Sequence, residues 1–268
     1  MNRKLDSDAY YRQSQQAHAE SKHDKSLVLC KRAITAKPDH YDAHFQWGRN
    51  LIDQEDYEKA TRKHKEITTR NPKDYKAYYN FGVTFERDEK FSDAEFQYKK
   101  SLSLNPSFQD PGHNLAIVLT MQCKYKEALE QYEKNMRINR NDSSTYNCYG
   151  YLKFILGDYE EAIKSFEDAI QKDSRESLYF TNKSLVLYCL GKRRLAVETF
   201  KESLGKVGAG NWKQIFQRKL GIYKRELSRF EEMLKGDDLG EVSRETLVIN
   251  IDGIRFIVDQ INEEFRMA

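Results

Sequence analysis

Along most of the chain, apolar and small side chains return every three or four positions, the spacing of one buried face of an α-helix. Between 143 and 170, Tyr146, Tyr149 and Gly150 form one such stripe, and Ala162, Ile163, Phe166, Ala169 and Ile170 form a second. Gly157-Asp158-Tyr159 separates them, ending one helix and starting the next. The pattern predicts pairs of amphipathic helices joined by tight turns.

Sliding the sequence by 34 residues superimposes these pairs. Pro38, Pro72 and Pro106 fall in one row, and Ala60, Ala94, Ala128, Ala162 and Ala196 in another, with Ser26 in its first slot. A small-residue row reads Ser14, Gly48, Gly82, Ala116, Gly150, Ser184, and a mostly aromatic one reads Cys30, His64, Tyr98, Tyr132, Phe166, Phe200. Six units follow without an insertion, at 7–40, 41–74, 75–108, 109–142, 143–176 and 177–210. The rows have a mechanical reason. The small residue and the alanine sit where two helices cross, and anything larger would hold the backbones apart. The aromatic one turn later fills the gap to the next helix, and the proline cannot continue a helix.

This pattern resembles the tetratricopeptide repeat, most closely in YNCYGYLKFILGDYEEAIKSFEDAI of the fifth unit. The resemblance covers about three-quarters of the chain. It departs in the first unit, where Gln13, Ser14, Ala17 and Ser26 stand at positions that prefer apolar residues, glycine or alanine. The closing proline is also missing from the last three units, which have Arg140, Ser174 and Gly208. It implies an all-α fold: a right-handed superhelical solenoid of helical hairpins, each buried by its neighbours, with first helices lining a concave groove.

Beyond the repeats and a short N-terminal extension at 1–6, the tail reads in three parts. Residues 211–235 predict a capping helix through Trp212, Ile215, Phe216, Leu220, Tyr223, Leu227, Phe230 and Leu234, with Arg218 where the repeat would need a small residue. KGDDLGE carries the linker, 236–242. In 243–268, Leu247, Ile251, Ile254, Val258, Ile261 and Phe265 form an amphipathic seam, with Ser243 as its N-cap. A hairpin of TLVINI and IRFIV around Asp252-Gly253 competes with the helix. The helix is preferred because the seam runs past the second strand. Basic residues crowd 192–235 and acidic ones 236–268, which suggests either a tail folded back on the cap or two solvated faces.

Composition narrows the function classes. Hydrophobic residues make up 39% and charged residues 32%, a polar balance that suits an elongated fold. A net charge of +3 disfavours a dedicated nucleic-acid or anionic-membrane binder. No apolar run approaches the roughly 20 residues of a membrane span, and no apolar run follows the basic residues near the N-terminus. Cys30, Cys123, Cys148 and Cys189 have no paired spacing and read as reduced thiols. A cytoplasmic protein is expected.

Catalytic signatures are missing. Gly191-Lys192 lacks the rest of a phosphate loop, Gly208-Ala209-Gly210 is an isolated pair of glycines, and no nucleophile elbow or zinc-protease motif appears. His40 and His44, near Asp39 and Asp42, are four apart, but His44 lies in the row of Tyr78 and Tyr146 and reads as core. No catalytic residue, cofactor or metal is expected.

The groove carries the functional expectation. Two positions before the small row stand Arg12, Gln46, Asn80, Asn114, Cys148 and Asn182. This row resembles the asparagine ladder in the repeats of O-linked N-acetylglucosamine transferase, broken here at Arg12 and Cys148, and implies peptide-backbone binding by side-chain amides. The alternative is amides that cap helix ends or face water. One position after the small row stand Gln15, Arg49, Val83, Ile117, Tyr151 and Leu185. That row turns apolar in later units, for a partner's helix, for the 243–266 segment or for burial between helices. Of Tyr11, Gln15, Gln46, Lys76 and Asn80, only Lys76 fits the clamp of chaperone-tail receptors.

The reading is a non-enzymatic scaffold that binds a protein or peptide partner in the groove through Gln46, Asn80, Asn114, Asn182, Val83, Ile117, Tyr151 and Leu185. Two alternatives stand beside it. One is a structural subunit that docks or self-associates through the C-terminal seam. The other is RNA binding through Lys192, Arg193, Arg194, Lys213, Arg218 and Lys219.

Overall fold

The computed structural model describes residues 6–207, 212–236 and 239–267, without the side chains of Trp212 and Met267. Most of the expected N-terminal extension, Gly208-Ala209-Gly210 and Asp237-Asp238 of the expected linker lie outside the described residues. Among the described residues there are fourteen helices and no strand. Six are α1 (Ser7–Ala19), α2 (His23–Ala36), α3 (Tyr41–Asp53), α4 (Tyr57–Arg70), α5 (Tyr75–Arg87) and α6 (Phe91–Leu104). Six continue the alternation: α7 (Gln109–Met121), α8 (Tyr125–Ile138), α9 (Ser143–Ile155), α10 (Tyr159–Lys172), α11 (Ser177–Cys189) and α12 (Arg193–Gly205). Two longer helices end the chain, α13 (Trp212–Lys235) and α14 (Arg244–Met267). The 244–267 segment is thus one helix, and the strand pair about Asp252-Gly253 does not form.

The chain divides into two compact units, one up to Lys124 with α1–α7 and one from Tyr125 with α8–α14. The division falls between α7 and α8, inside the span read as the fourth repeat. Successive helices pack on one another from α1 to α7, from α8 to α12 and from α13 to α14, and first helices pack on one another: α1 on α3, α3 on α5, α5 on α7, and α9 on α11.

The turn inside each pair has one geometry. Lys22, Asp56, Lys90, Lys124, Asp158 and Lys192 each donate a backbone N–H to the carbonyl five residues back, at 2.8–3.0 Å. The residue before each donor is left-handed: Ser21, Glu55, Glu89, Cys123, Gly157 and Gly191, with φ between +56° and +82°. This is the Schellman closure, which satisfies carbonyls that a helix end would leave bare. At the entries, Asp6, Asp56, Asp74, Asp142 and Glu176 cap their helices by accepting a backbone N–H.

The rows of small and large residues interlock in the pairs α3–α4, α5–α6 and α9–α10. Ser26, Ala60, Ala94, Ala128, Ala162 and Ala196 are all fully buried. A Cβ built on Gly82 would stand 2.5 Å from Tyr98 Cε1, and one on Gly150 would stand 3.0 Å from Phe166 Cε1. Gly48 faces His64 in the same way. The glycine is the notch and the ring the knob, so close approach, not backbone conformation, dictates glycine here.

In the second unit α13 sends Phe216, Tyr223 and Phe230 into the core, and Phe216 meets Phe200 edge-on at 6.0 Å between centroids. Ile215, read from the sequence as part of that seam, is exposed.

Candidate binding wall

In the first unit the inward side of α3, α5 and α7 carries the expected amide row. Gln46 and Asn80 are buried, while Asn114, Val83 and Ile117 are half-buried. The Asn114 amide donates to Tyr98 Oη over 3.2 Å, and Tyr98 in turn donates to Glu86. Burial raises the Glu86 carboxyl above its ordinary value, and it raises the Tyr98 hydroxyl as well. The Gln46 amide nitrogen is buried without a hydrogen-bond partner.

Beside this row lies a cavity of about 310 Å³, walled by Tyr41, Phe45, Tyr79, Asn80 and Phe108, with His44, His64 and Ile67 behind. Tyr79 and Phe108 pack edge to face at 5.3 Å, and Tyr75 meets Phe108 at 5.0 Å. Burial, with the negative charges of Asp110 and Glu86, pushes the Tyr79 hydroxyl up to about 12. Asp42, Asp74 and Asp110 line the cavity against a single lysine, Lys76. Asp74 already accepts the N–H groups of Lys76 and Ala77, which leaves Asp42 and Asp110 as the negative groups on offer. An aromatic, acid-rimmed concavity favours an apolar anchor followed by a positive charge.

His40 and His44 do not converge on a common ion. His44 Nε2 donates to the Pro38 carbonyl over 2.9 Å, and His40 Nε2 lies 3.1 Å from Asp8.

In the second unit the equivalent positions are sealed by the chain itself. Asn182 is buried, donates to Asn147 Oδ1 over 2.8 Å and accepts from Tyr223 Oη. Leu185 is fully buried against α14, and Tyr151 Oη lies 3.5 Å from Glu226 of α13. Cys148 is half-buried, and burial lifts its thiol to about 12. Asn182 and Leu185 therefore stand on no open wall, a correction to the sequence expectation, while Tyr151 is half-buried beside α13.

α13 covers Asn182 and Tyr151, and the amphipathic tail covers Leu185. α14 packs on α9, α11 and α13. Leu247, Ile251, Ile254, Val258 and Ile261 are buried in it, and Phe265 is half-buried. The seam expected to serve self-association is turned into its own chain. Asn250, fully buried and unremarked in the sequence, donates to the Phe154 and Ile155 carbonyls at 3.1 and 3.2 Å and accepts from Tyr159 Oη at 2.9 Å. It caps the end of α9 from outside. Gly253 lies against Cys189 and Leu185, and Phe256 stacks on Tyr188 with centroids 4.4 Å apart.

The expected RNA cluster loses a member here. Lys219 is buried and donates to Ser177 Oγ and Thr181 Oγ1 at 2.9 and 3.1 Å, and burial lowers its ammonium to about 8. The interleaved Phe216 and Tyr223 are core residues.

A family model described as the tetratricopeptide repeat matches residues 75–108 and 143–173. These two stretches are tetratricopeptide repeats. Solved structures agree in fold. PilF of Pseudomonas aeruginosa is 17% identical, with 80% of this chain and 97% of that one covered at a TM-score of 0.63. MamA of Desulfovibrio magneticus RS-1 is 20% identical over 63% of this chain and 95% of that one, at 0.56. YrrB, described as a tetratricopeptide-repeat protein with an unusual peptide-binding site, is 18% identical over 68% and 94%, at 0.52. At these identities the likeness is one of fold. No curated protein matches the sequence. Tetratricopeptide repeats as a kind are protein-interaction scaffolds. No helix among the described residues is long and apolar enough to cross a membrane.

Proposed function

We propose that this chain is a non-catalytic scaffold whose first unit binds a segment of another protein on the wall of α3, α5 and α7. The observation that carries the reading is a difference between the two units. The wall of the second is covered by α13 and α14, whereas the first keeps a cavity of about 310 Å³ with aromatic sides and the aspartates Asp42 and Asp110. The partner segment supplies an apolar or aromatic side chain to the Tyr79–Phe108 edge and a lysine or arginine to Asp42 and Asp110. Asn80, which lines the cavity, and Asn114 orient its backbone, and Val83 and Ile117 cover its apolar flank. The likeness to YrrB supports peptide binding as a use to which this fold is put.

The test is selection of peptides from a random library displayed on phage, using the full chain as bait. Enriched peptides that pair an aromatic with a basic residue, and that lose at least tenfold in affinity for Asn80→Ala and Asp110→Asn variants, support the reading. Peptides whose binding is indifferent to both substitutions overturn it.

A further inference from the structure

Three ligating side chains converge at the joint between the first two hairpins. His18 lies in the last turn of α1, His23 opens α2, and Asp53 closes α3. His18 Nδ1 is 3.5 Å from Asp53 Oδ2, and His23 Nδ1 is 3.8 Å from the same oxygen. All three donor atoms lie within 4.8 Å of one another. The imidazoles meet edge to face, with centroids 5.4 Å apart.

Behind them stands Asn50, fully buried. Its Nδ2 donates to Ser26 Oγ at 2.8 Å and to the Gln46 carbonyl at 2.7 Å, which turns Oδ1 toward the histidines. That oxygen lies 3.0 Å from His18 Nδ1 and 3.4 Å from His23 Nδ1. Two ring nitrogens, a carboxylate and a fixed amide oxygen thus face one point. Lys22, the lysine between the two histidines, is turned away to Glu20 at 2.7 Å.

We infer that His18, His23 and Asp53 form a binding site for a divalent transition ion of the zinc class, with Asn50 Oδ1 as the fourth donor. A tetrahedral ion with bonds of roughly 2.0–2.1 Å needs donor separations of about 3.3 Å. The two edges to Asp53 already approach that value, so closure requires a small rotation of the imidazoles rather than a backbone shift. Imidazole nitrogens with one carboxylate suit zinc, cobalt, nickel and copper better than magnesium or calcium. Both rings coordinate through Nδ1 and carry their proton on Nε2. The carboxylate leaves one negative charge to meet the ion.

The site ties the turn of the first hairpin to the first helix of the second. That hairpin is the one with serine at both crossing positions, Ser14 and Ser26; in the other five the second position is alanine. An ion that binds only the folded chain shifts the equilibrium toward it.

Calorimetric titration of the full chain with Zn²⁺ in a non-chelating buffer tests this, with Co²⁺ as a spectroscopic probe. One equivalent of Zn²⁺ is expected, with a rise in melting temperature. Bound Co²⁺ should give visible bands of a tetrahedral nitrogen–oxygen site and no near-ultraviolet thiolate band. Affinity should fall about tenfold or more in Asp53→Asn and vanish in the His18→Ala/His23→Ala double variant, with helicity by circular dichroism as the folding control. Failure to bind, binding undiminished in the double variant, or a thiolate band from the cysteines would each overturn the assignment.

Discussion

Tyr223 donates its phenolic hydrogen to Asn182 Oδ1 over 2.6 Å, with both side chains buried. The bond joins α13 to α11 and finishes a chain that begins at Asn147. Replacing Tyr223 by Phe leaves a buried amide oxygen without its donor, at a cost of about 1–3 kcal/mol. Urea denaturation should show the loss as a lowered midpoint with an unchanged slope. A midpoint equal to that of the parent protein would contradict this role.

Gly253 sets how closely α14 can lie on α11. An added Cβ would stand 2.9 Å from Leu185 Cδ1 and closer still to Cys189 Sγ. Gly253→Val should therefore cost on the order of 1–3 kcal/mol and speed amide hydrogen exchange across α14. The expectation fails if exchange in α14 is unchanged.

His64 ties the stability of the first unit to pH. It is enclosed beneath Gly48 with neither ring nitrogen hydrogen-bonded. Burial, with smaller contributions from His44 and Lys63, lowers its imidazolium from 6.5 to about 4. Below pH 6.5 the unfolded chain takes up a proton that the folded chain refuses. Stability from this group is thus present above pH 6.5 and falls as pH drops toward 4, by about 3 kcal/mol in all. His64→Phe, which places in this row the ring found at Phe166, should remove that part of the acid loss. Melting curves at pH 7 and pH 5 decide, and an equal drop in both proteins would count against the assignment.

Glu89 sits at φ +56° with its side chain exposed. Left-handed backbone costs a residue with a Cβ roughly 1–2 kcal/mol. Glu89→Gly should stabilise the first unit by about 1 kcal/mol, less whatever the added freedom of the unfolded chain takes back. Thermal unfolding measures it, and a destabilised variant would show that the turn is relaxed as it stands.

The crossing rows were legible because they repeat: a notch at Gly82 and a knob at Tyr98 are defined by residue size and period alone. The turn was read at Gly157, and Gly191 carries the same mark, whereas Ser21, Glu55, Glu89 and Cys123 adopt the same left-handed φ without any compositional sign. The division between α7 and α8 leaves no trace in the register at all. The apolar face of α14 was visible as a seam, but such a face carries no address, and its place on α9 and α11 could not be read. Two signals did lie within it: an amide at Asn250, which a buried face tolerates only with partners, and a glycine at 253, which marks close approach. Charge blocks pointed to basic α13 and acidic α14, yet Arg255 of α14 pairs with Glu231 of α13 at 2.7 Å, and Arg244 donates to the Leu234 and Gly236 carbonyls. Local geometry outweighed net charge. The wall residues divided by burial, because Asn182 and Leu185 meet elements whose docking is a tertiary fact. His18 and His23 straddle a turn at a spacing that matches no metal motif, and Asp53 joins them only through the packing of α3.

Because α14 lies on the second unit as a guest helix would, it sets the terms of entry for any other. A competitor must present a bare backbone where Gly253 sits, an amide one turn earlier to quiet the loose end of α9, and a row of isoleucines along the same face. Amphipathicity alone would leave it perched on a methyl group, unable to seat. The second unit is thereby guarded by shape, and a foreign helix gains admission only by resembling the one already there.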